Sequence, residues 1–137
     1  MDAEEIVRNY YAAFNKPGGR RKMLAWLAED VVHDLSQGAR EVGREVFSAF
    51  MIHMDYCYEE QLEDLVVMVD KTGTRVAAEF TVHGRYLATD TGVPPGTSPA
   101  RGQAYVISAG AFLTVRNEKI HRVATHYNLG EWVRAVA

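Results

Sequence analysis

The chain reads as an α+β fold in which a strongly curved sheet wraps over three N-terminal helices and leaves an apolar wedge between them. Two observations carry this reading. Apolar residues recur at helical spacing through the first fifty-odd positions, and beyond Gln61 the pattern changes to strand-like alternation broken by turn signals. Helices first and hairpin-linked strands afterwards is an α+β order, not the βαβ alternation of a parallel sheet. A chain of 137 residues that is 47% hydrophobic and 24% charged supports one domain with a real core, residues 1–137.

The elements follow in order. Asp2 caps a first helix and Glu5 completes a capping box, after which Ile6, Tyr10 and Phe14 mark an apolar stripe that stops at Pro17-Gly18-Gly19. A second short helix fits Lys22 to Ala28, burying Met23, Leu24, Trp26 and Leu27. Val31 to Asp34 reads as a short strand ending in a polar turn at Gly38. A third helix runs from about Gly43 to Tyr56, with Phe47, Phe50, Met51 and Met54 as its stripe. Gln61 to Val69 is a strand, Asp70 to Thr74 a hairpin turn, and Arg75 to Tyr86 an alternating strand. That alternation puts Val76, Ala78, Phe80 and Val82 on one face and Glu79, Thr81 and His83 on the other. The proline- and glycine-rich stretch from Asp90 to Arg101 is a loop. Gly102 to Val115 is a long strand with a bulge expected near Gly110, Ile120 to Asn128 the last strand, and Gly130 to Val136 a terminal helix.

Bulk properties exclude several function classes. The net charge is −3, and the one close basic cluster, Arg20-Arg21-Lys22, is too short for a nucleic-acid footprint. The single cysteine, Cys57, rules out an internal disulfide and leaves no partner cysteines for a zinc site. No His-x-x-x-His pair occurs, and no glycine-rich phosphate loop or Gly-x-Ser-x-Gly elbow, so neither a metal nor any other cofactor is expected. The acidic start lacks an apolar signal core and no run is long enough to span a bilayer, so a cytoplasmic protein is expected.

The chemistry-bearing stretch is Val31-Val32-His33-Asp34-Leu35-Ser36. A carboxylate at the end of an apolar run is either an edge residue in water or the polar floor of a pocket. In the pocket, desolvation would make Asp34 a base. His33 points to the opposite face of the strand. At the other end of the chain, alternation pairs Tyr127 with Thr125 and Val123, and His126 with Asn128, without revealing which set faces inward. His126 is a candidate acid or base, and Asn128 is also a natural helix cap.

Together, Tyr10-Tyr11-Ala12-Ala13-Phe14-Asn15, Val31 to Gly38, Gly84-Arg85-Tyr86, Gly102 to Tyr105 and Tyr127 to Trp132 resemble the cone-shaped fold named after nuclear transport factor 2. Ketosteroid isomerases and SnoaL-like polyketide cyclases share that fold. The resemblance implies Asp34 as general base and Tyr10 as donor to a developing oxyanion. The isomerase's protonated acid has no counterpart, because Ser108 to Phe112 holds Gly110 where an acid is needed. The cyclase acid near the end of the final strand is replaced by Asn128, with His126 beside it. Trp26, Phe50, His53, Phe80, Val82, Tyr105, Phe112, Tyr127 and Asn128 are the expected cavity lining. The expected function is proton transfer on a small apolar carbonyl compound, as an isomerase, cyclase or lyase step. The alternative is a non-catalytic binding protein of the same fold. Under either, a homodimer is expected, with no nucleic-acid or membrane partner.

Overall fold

The computed structural model describes residues 1–137. Helices α1 (Ala3–Phe14) and α2 (Gly19–Met23) are followed by strands β1 (Leu27–Asp34) and β2 (Arg40–Val42). Helix α3 (Arg44–Cys57), strands β3 (Tyr58–Val69), β4 (Arg75–Tyr86), β5 (Gln103–Arg116) and β6 (Lys119–Tyr127), and helix α4 (Leu129–Ala135) complete the chain. The expected α+β architecture is present as one mixed six-stranded sheet in the order β2-β1-β6-β5-β4-β3. All neighbours are antiparallel except β1 and β6, which run parallel.

The capping box at Asp2 and Glu5 forms as read, with both reciprocal bonds made. The second helix is shorter and earlier than expected. It ends at Met23 and tightens into a 3-10 turn over Leu24–Trp26, so Leu27 and Ala28 open β1 instead of closing a helix. The three-residue β2 is too short and too polar to signal itself in sequence. The bulge expected near Gly110 is absent, since β5 pairs continuously with β4 from Gln103 to Thr114. The strong irregularity lies in β3 between Glu63 and Val66, where Asp64 takes a left-handed φ of 57°.

Register defines the inner face. Phe80 pairs with Ala109 and Ala109 with Tyr127, while Val76 pairs with Leu113, Leu113 with Val123, and Val123 with His33. Directly paired residues project to the same side, so His33, Val123, Thr125, Tyr127, Ala109, Ala111 and Phe80 share the concave face. Across β4 and β3 the same face carries Val82, Gly84, Tyr86, Leu62, Glu60 and Tyr58. Helix α1 lays Ile6, Val7, Tyr10 and Tyr11 onto it, and α3 adds Phe47 and Met51. Trp132 of α4 closes one end, edge-on to Tyr58, Tyr86 and Tyr105 at centroid distances of 5.9, 5.0 and 6.1 Å.

One glycine in this face is indispensable. The Tyr105 ring lies flat over Gly84, and a Cβ there would sit 2.2 Å from the ring. The ring is held by its hydroxyl, which donates to Glu60 at 2.7 Å, and by Trp132. It therefore has nowhere to move. Gly84→Ala is expected to cost about 3 kcal/mol through overpacking, read as a fall in the urea midpoint with an unchanged m-value.

Candidate functional site

Two buried side-chain polar atoms have no hydrogen-bond partner: His33 Nδ1 and Tyr11 Oη. They belong to different elements, β1 and α1. His33 comes from β1 and stacks on Phe47 at 4.2 Å, with Phe50 edge-on at 4.8 Å. Tyr11 comes from α1 and meets Phe80 at 5.0 Å. Burial pushes the His33 imidazole down to about 4, against the opposing pull of the neighbouring Asp34 charge. It is therefore neutral at pH 7. Burial raises the Tyr11 phenol, keeping it a neutral donor. Phe50, Met54, Ala109 and Tyr127 pack against this core only partly buried.

Asp34 does not sit in the wedge. It pairs with Ala124 on the convex side, one residue out of phase with His33. There Arg40 donates two bonds to it at 2.7 and 3.0 Å, and Arg122 a third at 2.9 Å. Hydrogen bonds from Arg40 first, then Arg122, hold its carboxyl down to about 2. A carboxylate so stabilised is a poor proton acceptor. The geometry corrects the sequence expectation: of the adjacent pair, the histidine faces in and the acid faces out.

Tyr10 is fully buried, with its ring edge-on to Tyr11 at 5.0 Å, and burial raises its phenol further than any local charge does. Both tyrosines belong to the core, and the Tyr11 hydroxyl is buried there without a partner. His126 and Phe112 pack against each other on the convex face, at 5.6 Å, and Phe112 is 53% exposed. Neither lines the wedge. Asn128 is spent capping α4, accepting from the Glu131 amide at 3.0 Å. Gly110 also faces outward, opposite Glu79 and His126, and the inward positions flanking it are Ala109 and Ala111. Phe50, Phe80, Val82, Tyr105 and Tyr127 do face the interior, and Trp26 is half-buried beside it.

Sequence reasoning missed a polar cluster at the end of the wedge. Arg20 is 7% exposed and donates to Asp55 at 2.9 Å, Glu60 at 2.6 Å and the Tyr58 carbonyl at 3.1 Å. Asp90 accepts from the Tyr58 hydroxyl at 2.7 Å and stands 3.1 Å from His53 Nε2. His53, Cys57 and Asp90 place their ligand atoms within 4.8 Å of one another, the one such grouping that could hold a metal. Two clefts of about 480 and 310 Å³ open elsewhere, one beside the N-terminus and the hairpin tips and one between Leu24 and Arg44, and neither is lined by His33 or Tyr11. No helix is long and apolar enough to cross a membrane.

Residues 7–123 match the family model of the SnoaL-like domain. A crystal structure from Pseudomonas putida KT2440, described as a "putative polyketide cyclase", is 52% identical over 100% of this chain and 99% of its own, with a TM-score of 0.91. A protein of the same description from Xanthomonas campestris pv. campestris is 50% identical over 98% and 96% of the two chains, with a TM-score of 0.89. At the level of fold alone, a Catenulispora acidiphila protein with a ketosteroid isomerase-like fold superposes at a TM-score of 0.67 with 20% identity, over 96% of this chain and 92% of its own. Among curated proteins, none matches.

Proposed function

Because the chain belongs to the SnoaL-like domain family, we propose that it catalyses proton transfer on a small, mainly apolar carbonyl compound, of the isomerase, cyclase or lyase type, with His33 as the base. The observation that carries this reading is the pair of orphaned interior atoms, His33 Nδ1 and Tyr11 Oη. Folded proteins satisfy buried polar atoms, and one left open calls for an occupant. A carbonyl oxygen accepts from the Tyr11 hydroxyl, which stabilises negative charge as it develops there. His33 removes a proton from the adjacent carbon and becomes an imidazolium beside the enolate. A base near 4 is comparable with the aspartate of ketosteroid isomerase, at about 4.6, which does the same task. The apolar walls exclude water and strengthen both interactions. The crystal structures at 50% and 52% identity, each described as a "putative polyketide cyclase", support this reaction class.

The test is a panel of enones and β-dicarbonyl polyketide mimics assayed with four proteins. His33→Gln is expected to lower turnover about 100- to 10,000-fold, and Tyr11→Phe about 100- to 1,000-fold. Asp34→Asn, on the convex face, should stay near the wild-type rate. Wild-type turnover is expected to be flat from about pH 5 to 9, because His33 is already neutral and the phenol still protonated there. Equal rates in wild type and His33→Gln would remove His33 from the mechanism.

One observation favours a second reading, a non-catalytic carrier: β5 presents Ala109 and Ala111 inward, so the second oxyanion donor of the isomerases has no counterpart on that strand. Native mass spectrometry of the freshly purified protein separates the two, since a carrier returns its guest unchanged.

A further inference from the structure

We propose that His53, Cys57 and Asp90 form a binding site for a zinc-class divalent cation at the junction of α3 with the loop after β4. His53 and Cys57 are four residues apart on α3, so their side chains stack on one face of the helix. Asp90 reaches them from the loop, and the three ligand atoms lie within 4.8 Å of one another. The His53 Nε2 to Asp90 distance of 3.1 Å already approaches the ligand-to-ligand edge of a tetrahedron with bonds of about 2.0–2.3 Å.

The loop is held in place for this. The Cys57 carbonyl accepts from the Leu87 and Ala88 amides at 2.8 and 3.3 Å, and the Asp90 amide donates to the Tyr86 hydroxyl at 2.9 Å. The Asp90 oxygen turned away from His53 accepts from Tyr58, the kind of outer hydrogen bond that orients a carboxylate ligand. A thiolate, a carboxylate and a neutral imidazole together balance a doubly charged ion. The sulfur and nitrogen donors select zinc over magnesium or calcium. His53 is half exposed while Cys57 is buried, so three protein ligands would face inward and the fourth position would open to solvent. The search for paired histidines overlooks such a site, because its second helical ligand is a cysteine and its third comes from a distant loop.

The test is titration of the full, tag-free chain with Co²⁺, followed by displacement with Zn²⁺. One equivalent is expected to bind with a thiolate-to-cobalt charge-transfer band in the near ultraviolet. Cys57→Ser should abolish the band. His53→Gln, at a half-exposed position, should weaken binding at least about tenfold, and Tyr58→Phe about 10- to 100-fold. Absence of the charge-transfer band, or undiminished affinity in His53→Gln, overturns the proposal. Neither result bears on His33 or Tyr11, so the two readings fail independently.

Discussion

Replacing His33 with phenylalanine is expected to leave the protein as stable at pH 7, or up to about 2 kcal/mol more stable, while removing its proton-transfer activity. His33 is 5% exposed, stacked on Phe47, and leaves Nδ1 unsatisfied. Removing a buried polar group that has no partner removes a desolvation cost, and an aromatic ring of similar outline keeps the stack. A residue that weakens the fold and persists in a core is what a working site requires.

The pH dependence follows with a definite sign. Unfolded histidine titrates near 6.5, and folded His33 near 4. Between those values the unfolded chain binds more protons, so stability rises with pH through this window and is level above it. As pH falls from about 6.5 to 4 the wild type should lose on the order of 3 kcal/mol from this residue. His33→Phe should lose none of it. Urea midpoints of the two proteins at pH 4, 5, 6 and 7 check this. Parallel curves would show that His33 is solvated in the folded state. Asp34 contributes separately and lower, its stabilisation fading only as pH falls toward about 2.

Arg20→Ala is expected to be the most damaging single change away from His33, at about 3–5 kcal/mol. The guanidinium is buried, splits its donors among Asp55, Glu60 and the Tyr58 carbonyl, and lies 4.9 Å over the Phe14 ring. Its loss strands the largely buried Glu60 carboxylate beside Tyr105, where no other cation reaches it. Arg20→Lys should recover little, because a single ammonium cannot serve three acceptors set by a planar fork. Adding Glu60→Gln to Arg20→Ala should restore more than 1 kcal/mol, since the uncompensated charge is gone. A double-mutant cycle from chemical denaturation measures the coupling. A loss below 1 kcal/mol for Arg20→Ala would mean that water satisfies Glu60.

Much of the fold was legible because it rests on local signals. The capping box at Asp2, the stop at Pro17-Gly18, the period-two run of β4 and the turn at Asp70 to Thr74 each act within a few residues. The site was less legible because it depends on phase across the sheet. Val31-Val32-His33-Asp34 is apolar on both faces up to the ionisable pair, so nothing local decides which of the two turns inward. The decision comes from Arg122 on β6 and Arg40 on β2, which meet Asp34 only after the strands pair. The phase of β6 likewise turns Tyr127, an expected lining residue, inward and His126 outward. The Arg20 cluster gave no sequence signal, because Arg20, Asp55 and Glu60 come from three different elements, and Arg20 reads as part of an ordinary basic turn.

Of the ionisable pair on β1, His33 and not Asp34 faces the apolar interior. Following the imidazole signals of His33 by NMR from pH 3 to 8, assigned by comparison with His33→Phe, tests it most directly. A midpoint near 4, set by burial, is expected. A midpoint near 6.5 would place the ring in water and contradict it.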